Sequence, residues 1–340
     1  MQCNWNYEKI CNRRRSSSER SDNSCQLKKH LPKVPLPRLE DTLTSYLGYV
    51  KVVATESQFL ETKKHVDSFR VKPGPQVQEK LAQLAQKEEN WMNLYWLHDM
   101  YLANRVALPV NSNPAYLFPK RIFADNNDFI KYTATLICGA LDYKSTIDHR
   151  LMKQDSATGK FGGQPMCMDQ YWRMFSSYRL PAFPADIQET KCFNSGTEHI
   201  IVMYKNQIYK LDVESNQNRM PRVEIEHSLR KLMEAEDSKQ KSQVPPLGLI
   251  TSAHRDKAAT AMQQLTKDEV NQQSLQDIKT SAFIVCLDKR IGAQRYSTEE
   301  QISHILHGSG AAHSSGNRWF DKTNQVGSPQ LVSTVSAVAN

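Results

Sequence analysis

The sequence predicts a mixed α/β fold, and three observations carry that reading. Apolar residues recur at helical spacing in several separate stretches. A pair of β-branched and aromatic segments, HIIVMY and IYKLDV, is joined by Lys205, Asn206 and Gln207 and reads as a hairpin. Helix-like and strand-like segments then alternate to the end of the chain. With 340 residues, 39% hydrophobic and 24% charged, the chain has the composition of a globular protein with a real core.

The elements follow in order. In the first thirty residues seven basic side chains, Lys9, Arg13, Arg14, Arg15, Arg20, Lys28 and Lys29, face three acidic ones, Glu8, Glu19 and Asp22. Few large apolar residues accompany them, so residues 1–30 read as a disordered basic tail. Order is expected to begin near Leu31, where Pro32, Pro35 and Pro37 hold an extended lead-in before a helix capped by Asp41 or Thr42. After a break at Pro73, Gly74 and Pro75, the spacing of Val77, Leu81, Leu84 and Ala85 predicts an amphipathic helix whose apolar character continues through Trp91, Leu94, Tyr95 and Leu97. Residues 31–104 thus form a helical arm.

Residues 105–325 form the α/β body. Ile130, Ala134, Ile137, Cys138 and Leu141 predict a helix that frays near Asp148 and His149. The hairpin follows, then a helix marked by Ile225, Leu229 and Leu232. PPLGLITS reads as a short strand, Ala258, Ala261, Met262 and Leu265 as a helix, and SAFIVCLD as another strand. Ser297 and Glu300 form a capping box for a helix through Ile302, Ile305 and Leu306 that ends at Gly308. Residues 326–340 make a divergent tail.

Composition also excludes functions. No apolar run reaches the length of a membrane span and no signal-peptide centre is present, which gives a cytoplasmic expectation. The seven cysteines are scattered and form no CxxC pair, so reduced thiols are expected rather than a disulfide frame or a metal site. His304 and His307 lie three apart but have no acidic or cysteine companion. The pI near 9.0 comes largely from the tail, and no RRM, KH or zinc-finger pattern appears, so nucleic acid is not an expected partner.

Several blocks together carry a resemblance. They are the spaced prolines before Leu39, Thr42, Leu43 and Tyr46; YWLHDMYLANRVALPVNSNP; GQPMCMDQY with SSYRLP; LITSAHRDKAATAM; and the HGSG helix end leading to NRWFDK. In that combination and order they resemble the choline/carnitine acyltransferase family, nearer its choline-using members through VALPVNS. The resemblance covers about Leu31 to Gln325 and implies a fold like chloramphenicol acetyltransferase: a mixed sheet flanked by helices, the first half of a two-domain acyltransferase. The sequence departs from the family at Ala182, where glycine is usual, and at Ala258 and Met262, where tryptophan and arginine are usual. The first change matters if the backbone there needs a positive φ; the second implies a cavity or local repacking.

The implied activity is acetyl transfer from acetyl-CoA, a co-substrate rather than a resident cofactor, to choline; carnitine as acceptor stays open. The resemblance assigns Met100 and Tyr101 to the substrate tunnel, where an aromatic face attracts a quaternary ammonium. It places the catalytic histidine beyond NRWFDK, and no residue after Gln325 is histidine, so no catalytic residue is assigned and the chain alone is expected to be inactive. His307 is not expected to substitute. The implied partners are the missing C-terminal half or, through apolar surface left exposed without it, a second copy; a non-catalytic interaction module is the alternative.

Overall fold

The computed structural model describes residues 31–107, 121, 123–191, 197–204, 207–216, 218–239, 250, 253–287, 297, 299 and 330–332. It divides into two compact units, one of residues His30–Tyr101 and one whose described part begins at Leu102.

The first unit is helical. α1 (Leu39–Val53), α2 (Glu56–Val71) and α3 (Gly74–Lys87) pack on one another. α1 starts earlier than the polar residues suggest: Asp41 and Thr42 lie inside its first turn, and the Thr42 hydroxyl donates to the Arg38 carbonyl. α2 is set off by a capping box, in which the Thr55 hydroxyl receives the Gln58 backbone N–H and the Gln58 side chain accepts the Thr55 N–H. Gly74 opens α3 because a Cβ there would lie 2.5 Å from the Phe69 carbonyl oxygen. The proline leader is tied down where the Trp91 indole N–H donates to the Val34 carbonyl, 3.3 Å away. After a short helix α4 (Met92–Tyr95) the chain runs into a π-helical segment, Trp96–Leu102.

Among the described residues the second unit is built on a mixed five-stranded sheet of order β5-β4-β3-β6-β7. β3 (Thr197–Tyr204) and β4 (Gln207–Ser215) form the expected antiparallel hairpin, with a bulge at Glu198 and His199. β6 (Ile284–Cys286) runs parallel to β3, and β5 (Asn218–Arg219) and β7 (Gln330–Val332) are the outer strands among the described residues. β1 (Ser177–Leu180) and β2 (Ile187–Thr190) pair separately. Among the described residues its longer helices are α5 (Asn126–Asp148), α6 (Arg222–Ser238), α7 (Arg255–Leu265) and α8 (Glu269–Thr280).

The core sits between the sheet and two of these helices. Ile130, Ala134, Ile137 and Leu141 of α5 and Ile225 and Leu229 of α6 pack against Ile200, Val202, Val213, Phe283 and Val285 of the sheet region. β3 is buried on both faces at Ile200, Ile201 and Val202, which is why it reads as an unbroken apolar run. Asp125 caps α5 by accepting the Asp128 N–H at 2.8 Å. Ala182 does not have a positive φ, so the usual glycine is not needed for its backbone conformation here. Ala258 and Ala259 are wholly enclosed and Met262 is buried, giving α7 a continuous apolar face where a tryptophan and an arginine are usual.

The expected PPLGLITS strand lies outside the described residues except for Ile250, which is helical. The Ser297–Gln325 stretch also lies outside them, apart from Ser297 and Glu299. Among the described residues, no helix is long and apolar enough to cross a membrane.

Candidate functional site

Met100 and Tyr101 lie on the π-helical segment. π segments interrupt ordinary helical bonding and recur at functional sites. Around Met100 the exposed residues Met92, Tyr95, Trp96 and Asp99 fall at spacings of three and four, giving a stripe of aromatic, thioether and carboxylate groups. Met100 is 59% exposed and Tyr101 partly buried. His98 Nδ1 lies 2.6 Å from Asp99 Oδ1. Sequence reasoning misses this imidazole, although it stands directly before Asp99 in the distinctive YWLHDMY run.

Immediately after Tyr101 the backbone is held at almost every residue. The Leu102 carbonyl accepts the Asp186 N–H at 3.0 Å, and the Arg105 carbonyl accepts the Arg255 N–H at 2.9 Å. The Asn104 carbonyl accepts from Arg179 Nη2 at 3.1 Å, while the Asn104 side chain accepts the Val106 N–H.

These partners belong to one buried ionic cluster. Asp186, wholly enclosed, accepts at Oδ2 from Arg179 Nε (2.6 Å) and Arg255 Nε (2.7 Å), and at Oδ1 from Arg105 Nη1 (3.1 Å) and the Ala182 N–H (3.3 Å). Arg105 also donates from Nε to Asp256 and from Nη2 to the Ala182 carbonyl, both at 2.9 Å. Burial pushes the Arg255 guanidinium below its usual range, and Asp186 opposes that shift. The sequence blocks contain Arg179 and Arg255 as separate landmarks; the fold brings both to Asp186, which no motif marks.

Away from that cluster another enclosed cation, Lys144 on α5, pairs with Asp148 at 2.6 Å and Glu198 at 2.8 Å, and Glu198 also receives Lys191. Burial works against the Lys144 charge, but the two carboxylates outweigh it and raise its pKa. Burial likewise pushes the Tyr178 phenol up to about 12.

Three other described histidines have structural roles. His199 is buried with Nε2 2.7 Å from the Asp277 carbonyl, His254 accepts the Asp256 N–H at the start of α7, and His149 Nδ1 lies 2.8 Å from the Ser145 carbonyl. His304 and His307 lie outside the described residues. Among the described residues, no three His, Cys, Asp or Glu side chains converge as a metal site would require.

Comparison with known proteins agrees with the order of the motifs. The family model described as choline/carnitine O-acyltransferase matches residues 34–328. Mouse choline O-acetyltransferase is 40% identical over 306 residues, which is 89% of this chain and 47% of the mouse protein. The chicken enzyme of the same name is 39% identical over 311 residues, 90% of this chain and 48% of its own length. Rat carnitine O-acetyltransferase is 37% identical over 304 residues, 87% and 47% respectively. The chain therefore spans about half the length of the curated relatives it matches. A match that runs through nearly the whole chain and takes in every motif block from Leu39 to Lys322 has one meaning: this chain belongs to the choline/carnitine O-acyltransferase family.

Proposed function

We propose that the chain is the first half of an enzyme that transfers acetyl from acetyl-CoA to the hydroxyl of choline. Its mixed sheet is, on this reading, one half of a chloramphenicol acetyltransferase-like fold. The observation that carries the proposal is the 40% identity with mouse choline O-acetyltransferase across 89% of the chain. Met100 and Tyr101 serve the acceptor: an aromatic ring and a thioether beside exposed Tyr95 and Trp96 suit a quaternary ammonium, which needs a π face and apolar contact rather than a hydrogen bond.

The chemistry requires a base for choline's hydroxyl and donors for the tetrahedral oxyanion. We infer further that these 340 residues need the second half of the fold to perform the transfer, because the resemblance assigns the base to a histidine beyond NRWFDK. Co-expressing the chain with the second half of mouse choline O-acetyltransferase tests both statements. Acetylcholine is expected from the pair and none above the buffer rate from the chain by itself. Preferential acetylation of carnitine by the pair, or turnover by the chain alone, overturns the respective statement.

A non-catalytic interaction module is favoured by one feature. Tyr49, Val52 and Val53 of α1 are 75%, 84% and 86% exposed, an apolar stripe on a helix that already buries Leu43 on another face. A concentration-dependent mass in sedimentation equilibrium, abolished by Val52→Glu with Val53→Glu, supports this role; a monomer at all concentrations removes it.

A further inference from the structure

We propose that Arg105 is a positioning residue for the acceptor-binding turn, an inference that rests on the role assigned above to Met100 and Tyr101. Tyr101 is followed directly by Leu102–Val106, whose carbonyls at Leu102, Asn104 and Arg105 each receive a hydrogen bond from a residue distant in sequence. Arg105 holds this stretch from the inside. Its three guanidinium nitrogens serve three different partners: Nε donates to Asp256, Nη1 to Asp186 and Nη2 to the Ala182 carbonyl.

Those partners lie on α7 and on the connection from β1 to β2, so one side chain ties the 102–106 backbone to two separate elements. A planar fork can meet three acceptors at once; an ammonium cannot hold the same three in fixed directions. Arg105 is also the outermost of the three arginines on Asp186, 19% exposed against 3% for Arg179 and 1% for Arg255. Its removal therefore leaves the two enclosed guanidiniums with their counter-charge, and the loss falls mainly on the 102–106 backbone. That backbone is the covalent continuation of Tyr101, so fixing it restrains the end of the turn on which the acceptor's small cation would be bound.

The test compares the parent chain with Arg105→Ala and Arg105→Lys by amide hydrogen exchange and, after co-expression with the second half of the mouse enzyme, by steady-state kinetics. Arg105→Ala is expected to speed exchange at least tenfold in peptides covering 96–106 while leaving the β3–β4 hairpin unchanged. It should raise the choline KM about tenfold with the acetyl-CoA KM unaltered, and Arg105→Lys should fall between Ala and the parent in both readouts. Unchanged exchange at 96–106, or a uniform rise throughout the chain, overturns the positioning role. If the assembled pair acetylates nothing, the functional reading fails while the exchange data still decide whether Arg105 holds this turn. Equal increases in the KM of both substrates also overturn the inference.

Discussion

Replacing Asp186 by Asn should be the most damaging isosteric change available in this chain. The carboxylate is wholly enclosed, and its Oδ2 alone receives Arg179 at 2.6 Å and Arg255 at 2.7 Å, two guanidiniums that are themselves 3% and 1% exposed. Asparagine keeps the shape but removes the charge that both require. Breaking one buried ion pair from one side costs about 3–5 kcal/mol, because the remaining charge stays in a medium that solvates it poorly. Two enclosed cations depend on this carboxylate, so the upper end of the range, about 5 kcal/mol, is expected. For a unit of this size each kcal/mol moves the midpoint by about 2–4 °C, which gives a fall in Tm of about 10–20 °C. Differential scanning calorimetry and urea unfolding followed by circular dichroism measure it. The triple replacement Asp186→Leu, Arg179→Met, Arg255→Met, which removes all three charges together, should recover a large part of the loss. A Tm for Asp186→Asn within about 2 °C of the parent refutes the reasoning, since the two arginines would then have another counter-charge.

Alkaline conditions should weaken the fold. Burial raises the Tyr178 phenol from 10.0 to about 12, the carboxylates beside Lys144 raise that ammonium against its burial, and burial with an Asp237 contact raises Tyr204. In each case the folded chain holds its proton more tightly than the unfolded one, so stability is complete below about pH 10 and declines towards about pH 12. Tyr178 accounts for about 2–3 kcal/mol of this, and Tyr178→Phe should flatten the urea-midpoint profile; an unchanged profile in the variant contradicts that assignment. Gly48→Ala, with nothing within 4 Å of the added carbon on an exposed stretch of α1, should stabilise by about 1 kcal/mol. Gly74→Ala should destabilise, since its methyl would meet the Phe69 carbonyl oxygen at 2.5 Å; equal Tm shifts for the two glycines would show that packing is not the cause. Ser176→Ala should gain about 1 kcal/mol by removing a buried hydroxyl that has no partner among the described residues. A loss of stability would show that the hydroxyl binds an internal water in solution.

The sequence makes the elements with a strong apolar period legible. α5, α6, α7, the β3–β4 hairpin and β6 all lie where periodicity places them, and most of them bury a face in one core. α2 escapes a reading by periodicity although Thr55 and Gln58 carry its capping signal; its charged residues, among them Lys63, Lys64 and Asp67, mask the sparse apolar spacing of Leu60 and Val66. α8 escapes it for a related reason: it has no buried residue, so its register leaves little trace in the pattern. β1 and β2 are four residues each, too short for alternation to separate them from loop. At the candidate site, Met100 and Tyr101 come from family resemblance alone. Asp186 is invisible in the sequence because its importance depends on Arg105, Arg179 and Arg255 converging from three places, an effect of tertiary structure that spacing along the chain does not encode.

The order of strands also governs how the polypeptide emerges during synthesis. Met203 of β3 finds its hairpin partner Ile208 almost at once, but its parallel neighbour Cys286 arrives 83 residues later. Throughout that interval the far edge of an apolar strand has open main-chain donors and acceptors, so nascent chains paused before Cys286 should be the species most dependent on chaperones and most prone to edge-to-edge association. Ribosome-bound intermediates stalled before and after β6 should differ sharply in chaperone occupancy, with the handover set by translation of this one short segment.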